Sequence, residues 1–211
     1  MQLDIFSPKA PPLFGLDISS SSVKMLEIVD AGKGAYRVER YVIEPLPRDA
    51  TVDGNISNLE QVVETVRRAY KRLGTRAKHV AMAVPTGAVI TKKIVVPATL
   101  RENELEIQVE SEANQYIPFA LEEVNLDFQV VGPSPTSPEE QEVMIAATRK
   151  EKVEDRVAVA ESAGLKAAVM DIESFAQQTA LGLVVGQLPG AGKDLNVAIV
   201  LFRHSSQCVH T

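Results

Sequence analysis

The chain has 211 residues, 45% of them apolar and 24% charged, which is enough to bury a core in one or two domains. The 22 basic residues are outnumbered by 28 acidic ones, and the net charge of −6 excludes the basic face of a nucleic-acid binder. Aromatics are 5% with no Trp, so a stacking platform for bases is not expected, and a single cysteine excludes a disulfide framework and a Cys-based zinc site.

Residues 1–12 carry three prolines and no apolar stretch of the kind a secretory signal needs, so they read as an N-terminal extension. No later run approaches the ~20 apolar residues of a transmembrane helix, and a cytoplasmic protein is expected. Residues 13–18 (LFGLDI) read as a buried strand, 23–29 (VKMLEIV) as its hairpin partner across a turn of serines, and 36–44 (YRVERYVIE) as a third strand. Residues 57–73 read as a helix opened by a Ser57-x-x-Glu60 capping box and stopped by Gly74. Its apolar stripe is Leu59, Val62, Val63, Val66, Tyr70 and Leu73. Arg67, Arg68, Lys71 and Arg72 read as a solvated helix end that suits the dipole.

Buried strands follow at 79–84 (HVAMAV) and 89–96 (VITKKIVV). Thr99-x-x-Glu102 opens a helix to Tyr116 with Leu105, Val109, Ala113 and Tyr116 on one face and glutamates on the other. Strands at 123–131 and 142–147 flank a proline-rich loop, and Thr148-x-x-Glu151 opens a helix to 163. The segments 167–172, 173–185 and 195–200 read as strand, helix and strand, with Phe175, Ala176, Thr179 and Leu183 facing inward. This order implies an α/β domain at 13–85 and 166–200, interrupted at 86–165 by a small inserted α+β subdomain. Residues 201–211 (LFRHSSQCVHT) form an aberrant tail. Its His204, Cys208 and His210 are spaced poorly for a metal site. An unstructured terminus is one reading, and a frame change or interrupted gene near 201 is the sharper one.

The serine turn carries the strongest chemical signal. Gly15 permits close approach, and Ser19, Ser20, Ser21 and Ser22 offer hydroxyl and backbone donors to phosphate oxygens. Lys24 adds a point charge, and Asp17 could hold Mg²⁺ through water. The plain alternative is an ordinary polar hairpin turn; the pattern is not a Walker loop. No nucleophile–base pair stands out. Glu173 suits water positioning, but also simply the N-terminus of a helix. Tyr116, Ile117 and Pro118, with Phe119, either pack in the core or line a groove for a partner's peptide.

FGLDISSSSVKMLEI, AVITKKI, ENELEIQVESEANQYIPF, TRKEKVE and VMDIES, in this order, together resemble the PilM family of type IV pilus assembly proteins. The resemblance implies an actin-like (ribonuclease H-like) fold, similar to that of FtsA, with an inserted small subdomain. It implies a cytoplasmic, non-catalytic scaffold that binds ATP with Mg²⁺ and holds the N-terminal peptide of the inner-membrane protein PilN. Through PilN it is linked to PilO and the pilus motor complex, and it is recruited to the membrane without inserting. Carried onto this chain, the first phosphate loop is Gly15, Asp17, Ser19, Ser20, Ser21, Ser22 and Lys24, with Asp17 near the metal; the partner groove is placed at Tyr116, Ile117 and Pro118. In the family a second phosphate loop, beginning Asp-Ile-Gly, follows the strand that matches 195–200. Here Leu201, Phe202 and Arg203 follow, so a missing second lobe and weak or absent ATP binding are expected. The alternative, an ATPase or kinase-like enzyme of the same superfamily, requires that second lobe.

Overall fold

The computed structural model describes residues 12–32, 34–188, 190 and 196–198. The aberrant tail and nearly all of the N-terminal extension lie outside the described residues, as does the strand expected at 195–200 except for 196–198, which are in no helix or strand.

The chain divides into two compact units, one of residues 1–83 and 155–211, the other Val84–Glu154. In the first unit, strands β1 (Leu13–Ile18), β2 (Ser22–Gly32) and β3 (Ala35–Pro45) form a meander. A two-residue ribbon, β4 (Thr51–Val52) and β5 (Asn55–Ile56), leads to helix α1 (Leu59–Leu73) and strand β6 (His79–Val84). After the second unit come the later turns of α3 (Lys150–Ser162), strand β10 (Lys166–Ile172) and helix α4 (Glu173–Val185). The five-stranded sheet has the order β10-β6-β1-β2-β3, with β1 antiparallel to β2 and parallel to β6.

Strand alternation assigns the two faces of this sheet. Phe14, Leu16 and Ile18 point to one side, where they meet Val23, Met25, Val80 and Met82 and the α1 stripe of Val62, Val63, Val66, Ala69 and Leu73. Phe14 stacks on Tyr70 with ring centroids 6.0 Å apart. Gly15 and Asp17 therefore fall on the opposite face. Val159, Ala160 and Leu165 join this same core. The second unit accordingly ends at Glu154, earlier than the 86–165 expected from the sequence. The later turns of α3 bury their apolar side chains against the first unit's sheet.

In the second unit, β7 (Val89–Pro97), β9 (Glu140–Arg149) and β8 (Val124–Pro133) form an antiparallel sheet in the order β7-β9-β8. Helix α2 (Glu102–Tyr116) covers one face with Leu105, Val109 and Ala113. Ile94, Val96, Val143, Ile145 and Ala147 meet them there in a separate core.

The helix starts differ from the capping-box readings. Asn58, not Ser57, caps α1: its Oδ1 accepts the Gln61 N–H at 3.0 Å. At α2 the box shifts to Glu104, which accepts the Arg101 N–H at 2.9 Å. Thr148 stays in β9, its hydroxyl donating to the Ala88 carbonyl at 2.8 Å, so α3 begins at Lys150. The β4–β5 ribbon was not anticipated, although Asp53-Gly54 is a strong two-residue hairpin signal. Both residues take positive φ, 49° and 79°, as a type I′ turn demands.

The α1 arginines are spent on structure. Arg67 donates to Glu64 and to the Ser162 carbonyl, while Arg68 and Arg72 both grip Glu44 of β3. The hydrogen bond from Arg72, with help from Arg68, holds the Glu44 carboxyl below its ordinary 4.5 against the opposing effect of burial. The folded value lies below the unfolded one. The clamp is therefore complete above the ordinary carboxylate range and is lost as pH falls through the folded value. Acid titration of stability should show a steeper loss below about pH 4.5 for the wild type than for Glu44→Gln; parallel acid limbs would contradict this assignment.

Candidate functional site

Among the described residues, two places carry exposed chemistry, one in each unit. The first is the open face of the five-stranded sheet. A cleft of about 1120 Å³ lies there, floored by Gly15, Ala81 and Ala83, with the serine turn at one end and Ala176, Gln177 and Ala180 of α4 as a wall. It gathers Asp17, Ser19, Ser20, Ser21, Ser22 and Lys24 in one cavity, together with Asp171 and Glu173. Small residues on the floor keep it open: a methyl group added at Gly15 would meet only the Leu26 carbonyl, at an ordinary 3.8 Å.

The turn is held in shape by its own donors. The Ser19 N–H and hydroxyl both reach the Ser22 carbonyl, at 3.0 and 2.9 Å, and the two hydroxyls lie 3.2 Å apart. Thr51 donates to the Ser19 carbonyl at 3.1 Å, and the Leu46 N–H to that of Ser21 at 2.9 Å. Ser19 and Ser22 thus spend hydroxyl capacity internally. No backbone carbonyl among the described residues takes the N–H of Ser20 or Ser21. Lys24 Nζ sits 2.8 Å from the Asp17 carboxylate, both side chains half exposed. The cation therefore neutralises Asp17 instead of standing free for an anion.

Sequence reasoning missed one charged residue of this region. Arg156 of α3 is only 3% exposed. Its Nε donates to the Ala83 carbonyl at 3.0 Å and its second terminal nitrogen to the Gly54 carbonyl at 2.7 Å. Burial pushes its guanidinium below the usual value, while the charges of Glu173, Asp155 and Asp17 oppose that shift. An arginine in a helix dominated by polar and small residues gives no periodic signal that it faces inward.

Helix α4 departs from the amphipathic reading. Phe175, Ala176, Thr179 and Leu183 were expected inward, yet no residue of α4 is buried, and Leu183 and Val184 are 47% and 56% exposed. Apolar composition made the helix, but nothing among the described residues covers its outer side.

The second place is the end of α2. Ile117 is 8% exposed and belongs to the second unit's core, so it is not a groove residue as first assigned. Its N–H closes the helix on the Ala113 carbonyl at 2.9 Å, which draws the side chain in. Tyr116 and Phe119 remain outside, 46% and 37% exposed, and Pro118 is exposed between them. Lys92 Nζ lies 4.3 Å from the Tyr116 ring centre and the Arg149 guanidinium 5.2 Å from that of Phe119. These are cation–π distances, and they fix two aromatic faces on the surface instead of in the core. No group of three or more His, Cys, Asp or Glu among the described residues is arranged to hold a metal ion directly.

A family model described as type IV pilus assembly protein PilM matches residues 15–207. The chain belongs to the PilM family. The PilM match reaches past 200 into the segment that reads as foreign from its composition. Among solved structures, a chain of a PilM–PilN type IV pilus biogenesis complex is similar at 28% identity with a TM-score of 0.74. That likeness covers 86% of this chain and 53% of the other, so this PilM-family chain spans about half the length of the solved one. The α/β architecture is that of the PilM actin-like fold. The cytoplasmic domain of EpsL, an inner-membrane component of the type II secretion system of Vibrio cholerae, is more remote: 12% identity, TM-score 0.48, covering 75% of this chain and 56% of that one. No helix among the described residues is long and apolar enough to cross a membrane.

Proposed function

We propose that this chain serves type IV pilus assembly as a cytoplasmic, non-catalytic scaffold that holds the N-terminal peptide of PilN. What supports the reading is family membership together with the exposed aromatic pair of the second unit. The similarity to a chain of a PilM–PilN complex supplies the partner. Tyr116, Pro118 and Phe119 offer a peptide an apolar, conformationally stiff landing. Recruitment to the inner membrane, and indirect linkage to PilO and the motor complex, would follow from the PilN contact.

The peptide test is direct. A synthetic PilN N-terminal peptide titrated into the chain should bind, and Tyr116→Ala should weaken it roughly tenfold or more, about 1.4 kcal/mol or above, as removal of an interface aromatic does. Full affinity in Tyr116→Ala would move the groove elsewhere. Absence of binding, under conditions where a longer family member binds, would sink the scaffold reading.

For ATP and Mg²⁺ the fit is partial. The amides of Ser20 and Ser21, with Lys24, suit a phosphate group, and Asp17 suits a hydrated Mg²⁺. Bound Mg·ATP would supply phosphate oxygens for these donors and a cation for Asp17. Lys24 must then be shared between Asp17 and phosphate, and the β3 residues that line the cleft, Val38, Tyr41 and Ile43, are apolar or aromatic. We therefore infer weak nucleotide binding in this chain. Tight Mg·ATP binding by calorimetry would instead favour the ATPase or kinase-like alternative.

A further inference from the structure

The second unit's sheet has two edge strands, β7 and β8, and they are built differently. An edge strand turns a row of N–H and C=O groups outward, and proteins blunt such edges with bulges, prolines and charged side chains. β8 is blunted. Its register with β9 shifts between Val130 and Gly132, the Asp127 carboxylate accepts the Phe128 N–H at 2.8 Å, and Pro133 ends the strand without an N–H. β7 carries no such interruption before its final Pro97. It pairs with β9 from Val89 opposite Thr148 to Pro97 opposite Glu140 without a register shift. In an antiparallel pair every second residue turns its N–H and C=O away from the partner strand. Among the described residues, no backbone–backbone bond outside the β7–β9 ladder involves residues 90–96.

Two lysines remain as guards of this edge, and both are engaged with neighbours. Lys92 Nζ lies over the Tyr116 ring, and Lys93 donates to Glu142 of β9 at 2.9 Å. Strand alternation places Lys92 with Ile94 and Val96 on the α2 side, since Ile94 and Val96 belong to the core beneath α2. Thr91, Lys93 and Val95 face the other way, where Val95 is 49% exposed. Through Lys92, Tyr116 stands on the α2 side of the β7 edge. Phe119 is braced by Arg149 of β9, one strand further in.

We infer that the second unit takes its peptide at the β7 edge, adding it to the sheet as a fourth strand. The inference rests on the reading of this chain as the holder of a peptide, and it names how that peptide is held. The peptide's main chain bonds the outward groups of β7, which supplies affinity, and its alternate side chains fall on the two faces, which supplies specificity. One set lies beside Tyr116 and the other beside Val95. The occupant is therefore an extended segment, apolar at every second position on the Tyr116 side, without proline where an N–H must face β7.

The experiment uses the full chain and the synthetic PilN N-terminal peptide, unmodified and with each internal residue N-methylated in turn. The changes are made on the peptide, so the fold of the protein is untouched. Methylation at every second position should weaken binding roughly tenfold or more, because it removes a ladder donor and leaves an acceptor of β7 unpaired; the intervening positions should change little. Amide exchange at alternate residues of 90–96 should slow when the unmodified peptide is added, while β8 stays as it was. Binding of the unmodified peptide with no alternation along the methylated series, or with new protection on β8 instead of β7, overturns strand addition and leaves the peptide-holding reading in place. No binding of the unmodified peptide, under conditions where a longer family member binds it, overturns both.

Discussion

Phe14→Ala is expected to cost the first unit about 3–5 kcal/mol, the range for removing a buried aromatic ring from a core. Phe14 is 2% exposed, sits on the central strand β1 and stacks on Tyr70 of α1, so its ring is shared between sheet and helix. The surrounding side chains include several valines, which are stiff about χ1 and collapse poorly into a void. Such a loss is comparable with the whole stability of many domains, about 5–15 kcal/mol. Urea unfolding followed by amide exchange should show the protection of β1, β2, β6 and α1 falling together. A loss under 1.5 kcal/mol would mean that Tyr70 refills the site. Tyr70 is already held at its far end, where its hydroxyl donates to the Thr75 and Ala77 carbonyls, so refilling is not expected.

Val109→Asp addresses the other core. Val109 is 1% exposed at the centre of α2's buried face, against strands β7 and β9. An isolated carboxylate there would sit among apolar side chains and must either stay protonated or break the packing. The second unit's sheet has only three strands with one helix over it, and that helix supplies Leu105, Val109 and Ala113 to the core. Loss of α2 packing should unfold this unit, by a destabilisation of several kcal/mol. The PilN peptide should then no longer bind, because Tyr116 and Phe119 are presented by the end of α2. Protection of β1 and α1 should survive, since the first unit's core contains no residue of the second's. Loss of protection in both units together would show that the two cores do not fold independently.

The two substitutions also separate what could be read along the chain from what could not. Residues 13–18, 79–84 and 173–185 were bounded correctly from their pattern, because each is a continuous periodic or apolar run between polar breaks. Capping was less legible. Ser57, Thr99 and Thr148 each fitted the cap pattern, but a hydroxyl bonds whichever partner tertiary packing brings, and Thr148 found Ala88, sixty residues away. The insertion was visible as a change of element order, yet its end was not. Whether α3 belongs to one unit or the other depends on which sheet its Val159 and Ala160 meet.

The candidate cleft was partly legible. The serine turn, Asp17 and Lys24 are adjacent in sequence through a hairpin, so local pattern alone brings them together. That Lys24 is engaged by Asp17 is a matter of register: the two residues are directly opposite across β1 and β2. Ile117 and its neighbours Tyr116 and Phe119 look alike in sequence, and only the helix end decides that the middle one turns inward.

By itself the sequence determined the family, the α/β order and the position of the phosphate-like turn, because motifs and strand alternation are local properties of the chain. The tertiary structure decided the rest: the fate of Ile117, the burial of Arg156 and the bare outer side of α4. Those depend on surfaces distant in sequence meeting or failing to meet. Burial is a property of the neighbours a side chain acquires, and no periodicity within a segment records them.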